Sequence, residues 1–246
     1  MRVGLLSLLG FGLVVGVSPG AASALPAWLG APGALGAPPV TEHFVRHGGR
    51  ILRYRVHWPT PTDRRAPLVL GLHGRPRNPP VAPFHMLGIG RHDPQGEAIV
   101  VAPLVDWDAP WTQTQPMILQ ALREVARRRA VDPARVAVAG FSMGAPSALY
   151  LARNRPRMFS AVMAASGHMP EDVLDDLADR RTRVLLSWSG SPSDCRRTVD
   201  LAARIAERGG NSRAVVFPGG GHEAHLDMMS DRSLWRWFVS QPDEAG

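Results

Sequence analysis

The sequence predicts an α/β fold with a mostly parallel central sheet and helices on both faces. Three observations lead there. Short, wholly apolar runs of strand length recur along the chain, segments with helical apolar spacing separate them, and one run ends in Gly140-Phe141-Ser142-Met143-Gly144 with a helix-prone segment directly behind it. A run that is apolar on both faces marks a strand buried in a parallel sheet. Alternation of such strands with helices is the pattern of repeated βαβ units.

The elements follow in order. Met1 to Ala24 has the make-up of an export signal: Arg2 is the charge, Val3 to Val17 the apolar region and Ala22-Ser23-Ala24 a small-residue cleavage site. Leu25 to Pro39 is rich in Ala, Gly and Pro, and residues 25–49 are expected to be a flexible lead-in to a domain spanning 50–240, with 241–246 a tail. Arg50 to Trp58 alternates polar and apolar residues and suits a half-exposed strand. Leu68 to Leu72 and Ala98 to Ala102 are buried strands. A loop carrying Asp106, Trp107, Asp108 and Trp111 precedes a helix over Gln115 to Arg129, with Pro116 in its first turn.

The strand Arg135 to Ala139 leads into the serine motif, and Ala145 to Arg153 forms the helix behind it. Phe159 to Ala165 is a strand, Glu171 to Asp179 a short helix, and Val184 to Ser189 a strand. Arg196 to Arg208 is a helix stopped by Gly209-Gly210. Arg213 to Phe217 is the last strand, Pro218 to His222 a glycine-rich loop, and Asp231 to Ser240 a closing helix.

Composition excludes several chemistries. The 28 basic residues are all arginine, so lysine Schiff bases and the phosphate-loop lysine are absent from a chain of formal charge +7. The arginines are scattered and form no stripe interleaved with aromatics, so nucleic acid is not an expected partner. Cys195 is the only cysteine; it has no elbow and an acidic neighbour, so it reads as incidental.

Ser142 carries the chemistry. A serine with glycine two residues to either side, between a buried strand and a helix, sits on a strained turn that holds its hydroxyl above the sheet edge. A serine hydroxyl needs a base to take its proton, and the base needs a carboxylate to orient it. Ser142, Asp194 and His222 each follow a predicted strand, in the order Ser, acid, His. His225 is the rival base, and helix capping is the alternative role for Asp194. His222-Glu223-Ala224-His225 has its second histidine at i+3 rather than i+4, so it is not the HExxH zinc motif, and no metal is expected. The Met143 N–H and a backbone donor from Gly74 or Arg75 are the candidate oxyanion hole. His73 reads as a structural histidine of that loop. Trp107, Trp111 and His168 are candidates to line a substrate pocket.

With these residues in place, Leu72-His73-Gly74, Val131-Asp132-Pro133-Ala134-Arg135-Val136 and Gly140-Phe141-Ser142-Met143-Gly144 resemble the α/β-hydrolase superfamily. Within it the chain resembles secreted serine esterases of the polyhydroxybutyrate-depolymerase, feruloyl-esterase and dienelactone-hydrolase kinds. The resemblance runs over most of Leu68 to Phe238. It implies cofactor-free hydrolysis of a small-molecule or polymer ester through an acyl-enzyme. Ala145 stands where many relatives have a second glycine, Arg75-Pro76-Arg77 lacks their extra glycines, and Ser189 to Ser193 lacks the His-Gly-x-x-Asp form.

Only Ser166 to Arg183 separates the strands between which lids insert, so no large lid is expected. The leading expectation is a secreted or periplasmic serine esterase with no membrane span once the signal is cleaved. A serine peptidase of the prolyl-oligopeptidase type and a catalytically inactive envelope binding protein are the alternatives. Oligomeric state is left open.

Overall fold

The protein is described from a computed structural model covering residues 5–6, 14–16, 40–59, 64–75, 97–178, 180–222, 228 and 231–240. Its strands are β1 (Leu5–Leu6), β2 (Val14–Gly16), β3 (Val40–His47), β4 (Arg50–His57), β5 (Ala66–Leu72), β6 (Ile99–Pro103), β7 (Val131–Phe141), β8 (Ala161–Ala165), β9 (Arg183–Gly190) and β10 (Ser212–Pro218). The helices are α1 (Trp111–Arg128), α2 (Gly144–Asn154), α3 (Glu171–Ala178), α4 (Pro192–Glu207) and α5 (Arg232–Val239).

All strands join one sheet in the order β1-β2-β10-β9-β8-β7-β5-β6-β4-β3. From β10 across to β6 every pairing is parallel, and β4 runs antiparallel to β6. β2 adds to β10 in parallel, so the edge beyond β10 is drawn from the segment expected to be the export signal. The predicted fold class holds.

The sheet separates two cores. Residues of α1, α2, α3 and α4 bury one face with Leu70, Val138, Val162 and Leu186. α5 covers the other, where Val69, Ala139, Met163 and Leu185 meet Trp235, Trp237 and Phe238. This alternation along each strand is what burial on both faces requires. Arg183, 1% exposed at the start of β9, fastens α5 down: its guanidinium donates to the Ser240 hydroxyl and to the Ser240 carbonyl, and lies over the Trp237 ring.

Three boundaries differ from expectation, each for a local reason. The sheet starts earlier than residue 50, because Val40–His47 pairs antiparallel with β4 through the Gly48-Gly49 turn rather than serving as a flexible lead-in. α1 begins at Trp111, which moves that residue from loop to helix and Pro116 to the second turn. α4 begins at Pro192, four residues before the predicted start. The Ser191 side chain accepts the Asp194 N–H at the N-cap, and proline occupies the first turn, where its missing N–H costs nothing. The expectations for 25–39 and 241–246 lie outside the described residues.

Candidate active site

Ser142, Asp194 and His222 each follow the C-terminal end of a parallel strand: β7, β9 and β10. Ser142 closes β7 with φ at +53°, the left-handed region that side chains with a Cβ seldom adopt. Its N–H donates to the Ala165 carbonyl at 2.8 Å, which ties the turn to β8. The flanking glycines are steric necessities. A Cβ on Gly140 would stand 2.1 Å from the Gly144 carbonyl oxygen, and one on Gly144 would stand 2.2 Å from the Leu72 carbonyl oxygen. The strand, the turn and α2 can therefore be this close only with glycine at both positions.

Two further glycines close on the serine. A Cβ on Gly74 would lie 2.8 Å from the Ser142 Cβ, which places the loop after β5 directly against the nucleophile candidate. Gly167, after β8, packs against the Ser142 carbonyl, where a Cβ would come within 2.0 Å. Gly167 was not singled out from the sequence. The one available sign was its place just beyond a buried strand.

The loop of Gly74 is held by His73. This ring is 4% exposed, and its Nε2 accepts the Val105 N–H at 2.9 Å. That leaves the proton on Nδ1, which faces the Gly74 carbonyl at 2.5 Å. The Trp107 indole N–H donates to the same carbonyl at 3.2 Å. Burial holds the His73 pKa below the usual histidine value, partly offset by the Gly74 contact, so the neutral ring is the working form. His73 is thus structural, as expected. Trp107, expected to line a pocket, joins it in tying the loop after β6 to the loop after β5. Trp111 packs against the helical-side core from the first turn of α1.

Met143 is the N-cap of α2, directly after Ser142. The first N–H groups of a helix have no acceptor within it, which makes the Met143 N–H the candidate donor to a developing oxyanion. Arg75 extends over this corner, its Nε 3.3 Å from the Met143 sulfur and its Nη2 3.1 Å from the Asp108 carboxylate. That ion pair is exposed, so its contribution to stability is small.

His222 follows β10, and its ring packs on Phe141, the residue before Ser142, with centroids 4.8 Å apart. Its loop is pinned to β9 from two sides: the Ser189 hydroxyl donates to the Gly221 carbonyl at 2.5 Å, and the Gly219 N–H donates to the Gly190 carbonyl at 2.7 Å. Ser189 was missed as a contributor, although a serine amid the apolar residues of β9 was a visible sign. His225 and Glu223 lie outside the described residues.

Asp194 sits in the first turn of α4. Its carboxylate accepts the Ser191 hydroxyl at 2.6 Å, the geometry of a cap. It also lines a small cavity of about 80 Å³ with Gly167, His168, Met169, Trp188 and Arg197. His168, expected to line a substrate pocket, lines this cavity, whose lining includes no residue of the Gly140–Gly144 turn. Cys195 is 3% exposed, and burial raises its thiol pKa, which keeps it unreactive.

Residues 111–174, from α1 through the elbow and into α3, match the esterase family. The fold is similar to that of FphF, a fluorophosphonate-binding serine hydrolase of Staphylococcus aureus, with a TM-score of 0.67 at 15% identity over 84% of this chain and 100% of that one. It is also similar to a thermostable esterase (TM-score 0.65, 19% identity, 82% of this chain) and to a ferulic acid esterase (TM-score 0.61, 18% identity, 82% of this chain and 97% of that one). The chain spans 62% of the thermostable esterase's length. Among curated proteins no sequence matches. The fold is the α/β-hydrolase fold, and the family match places an esterase signature across the strand, turn and helix that hold Ser142.

Proposed function

We propose that this α/β-hydrolase is an exported serine esterase that works through an acyl-enzyme. The observation that carries the reading is the Ser142 turn: a non-glycine residue at φ +53°, flanked by two glycines that admit no Cβ, with Gly74 against one side and the His222 loop close by. Such strain at a half-buried serine has a use when the hydroxyl must project as a nucleophile.

In the proposed cycle the Ser142 Oγ attacks the ester carbonyl while His222 takes its proton. The resulting oxyanion is held by the Met143 N–H and by a backbone N–H from the Gly74–Arg75 loop. As the tetrahedral intermediate collapses, the carbon–oxygen bond to the alcohol breaks, and the alcohol leaves with the proton from His222. A water molecule then gives a proton to His222 and attacks the acyl group, and Ser142 is released with its proton restored. Asp194 is the proposed orienting acid. In this role its carboxylate exchanges the Ser191 hydroxyl for the imidazole of His222.

The crossover from β8 to β9 holds one eight-residue helix, α3, which fits an acyl group that is short or displayed on a surface rather than a lid-gated lipid. The N-terminal charged and apolar run supports export.

The test is a panel of p-nitrophenyl esters of increasing acyl length beside peptide anilides, run on wild type and on Ser142→Ala. The proposal expects turnover of the shorter esters, little cleavage of anilides and no turnover by the variant. Anilide cleavage exceeding ester cleavage would make the protein a peptidase. Ester turnover that survives Ser142→Ala would remove the nucleophile.

A further inference from the structure

The hairpin of β3 and β4 ends the sheet, and its two faces have opposite characters. One face carries Val45, Leu52, Tyr54 and Val56, all buried in the core that α1 covers, and the Tyr54 hydroxyl reaches Glu124 of that helix at 3.1 Å. The other face carries Val40, Phe44 and Ile51, which are 55%, 60% and 54% exposed. Among the described residues the next most exposed large hydrophobic side chain is Tyr150, at 38%. A half-buried strand normally shows polar residues on its solvent side, so a cluster of apolar ones there needs an explanation.

Arginines frame the cluster. The register sets Phe44 opposite Arg53, Arg46 opposite Ile51 and Glu42 opposite Arg55. The Arg46 guanidinium lies 5.5 Å from the centre of the Phe44 ring. Glu42 is the one acid on the face, 3.2 Å from Arg55 and 3.8 Å from Arg53, so the patch keeps a net positive charge. The tip is braced as well: Arg50 donates to Gln113 at 2.9 Å and approaches Asp106 at 3.5 Å. Because β4 is antiparallel to β6, the Gly48-Gly49 turn projects at the end of the sheet where the parallel strands finish, the rim that also carries Ser142.

We propose that the open face of this hairpin docks the protein on an anionic lipid surface. Phe44, Ile51 and Val40 would enter the boundary between headgroups and acyl chains. Arg46 and Arg53 would lay their stems along that apolar surface and place their guanidinium groups among the anionic headgroups. Charge argues against a second copy of the chain as occupant, since two such faces would set arginines against arginines. Size argues the same way, because a stable interface takes roughly 20–30 residues a side. Single-stranded nucleic acid is bound on stacked aromatic rings, and this face offers one ring and two aliphatic side chains.

The test is co-sedimentation of the full chain with vesicles made of equal parts phosphatidylglycerol and phosphatidylcholine, and with vesicles of phosphatidylcholine alone. It is run on wild type, on Phe44→Ser with Ile51→Ser, and on Arg46→Gln with Arg53→Gln. All three proteins carry the same N-terminal apolar run, so differences among them report on the hairpin alone. The binding is read without turnover, so its outcome is independent of the esterase proposal.

Wild type is expected to bind the anionic vesicles roughly tenfold or more tightly than the neutral ones, as a few arginines near such a surface provide. Each double variant is expected to lose at least roughly fivefold. Because the substituted side chains are exposed, unchanged circular dichroism and melting should accompany the loss. Equal binding to both vesicle types, or variants that bind like wild type, would overturn the proposal. A dimer or an oligonucleotide complex that depends on Phe44, without vesicle binding, would overturn it in favour of that partner.

Discussion

Replacing Gly144 by alanine puts the geometry of the serine turn under direct load. The added Cβ would stand 2.2 Å from the Leu72 carbonyl oxygen, 2.8 Å from its carbonyl carbon and 2.9 Å from the His73 carbonyl oxygen. Ordinary contact begins at 3.4 Å, so the closest approach is short by about 1 Å. All three atoms are backbone, so no side chain can rotate out of the way. The start of α2 and the end of β5 must separate by about that distance.

Overpacking of this kind costs about 1–3 kcal/mol, and the rigid partners place this case at about 3. The same shift carries the Met143 N–H away from the Gly74 loop, and a 1 Å misplacement of reacting groups costs about 100-fold in rate. Urea unfolding and hydrolysis of p-nitrophenyl acetate measure the two effects. Gly221→Ala is the control, because a Cβ there meets nothing within 4 Å and should cost less than about 1 kcal/mol. A Gly144→Ala protein within about 0.5 kcal/mol and threefold of wild type would refute the close approach of strand, turn and helix.

Other perturbations separate the remaining roles. Asp194→Asn should lower kcat by about 10³–10⁴-fold with the fold intact if this carboxylate orients His222; a loss of about 1 kcal/mol in stability with full activity would leave it only its helix-capping role. Burial lowers the His73 pKa, so the unfolded chain binds a proton that the folded chain refuses. Stability should therefore fall as pH drops from about 6.5 toward the folded value, by at most about 1.4 kcal/mol per pH unit, and His73→Gln should flatten that slope in urea titrations. Arg183→Ala removes the buried donors to Ser240 and should cost about 2–4 kcal/mol in urea melts, with kcat and KM unchanged at a temperature where the variant is folded.

The strands of the central sheet were legible because Leu68–Leu72, Ala98–Ala102 and Val184–Ser189 are apolar on both faces, a pattern loops do not share. β3 was missed for the converse reason. Glu42, His43 and Arg46 break its apolar pattern, and only pairing with β4 makes it a strand. The early start of α4 was hidden because helical periodicity begins at Arg196, while the signal that sets the boundary is the Ser191-Pro192 cap.

At the site, the Ser142–Met143 turn could be read from local spacing, and Gly74 or Arg75 from the place of their loop after the Leu68–Leu72 strand. The tie from Ser189 to Gly221 and the contact of Gly167 with Ser142 arise between segments far apart in sequence, where no periodicity reports them. Asp194 shows the limit most plainly. A carboxylate after β9 was legible, but its pairing with the Ser191 hydroxyl follows from the helix cap at Ser191-Pro192, which helical periodicity does not report.

Labelling with a fluorophosphonate, followed by mass mapping of the modified peptide, bears most directly on Ser142 as nucleophile. The account predicts one adduct on Ser142 in wild type, with none in Ser142→Ala or His222→Ala. Folded wild-type protein that stays unlabelled, or that carries the adduct on another residue, would contradict it.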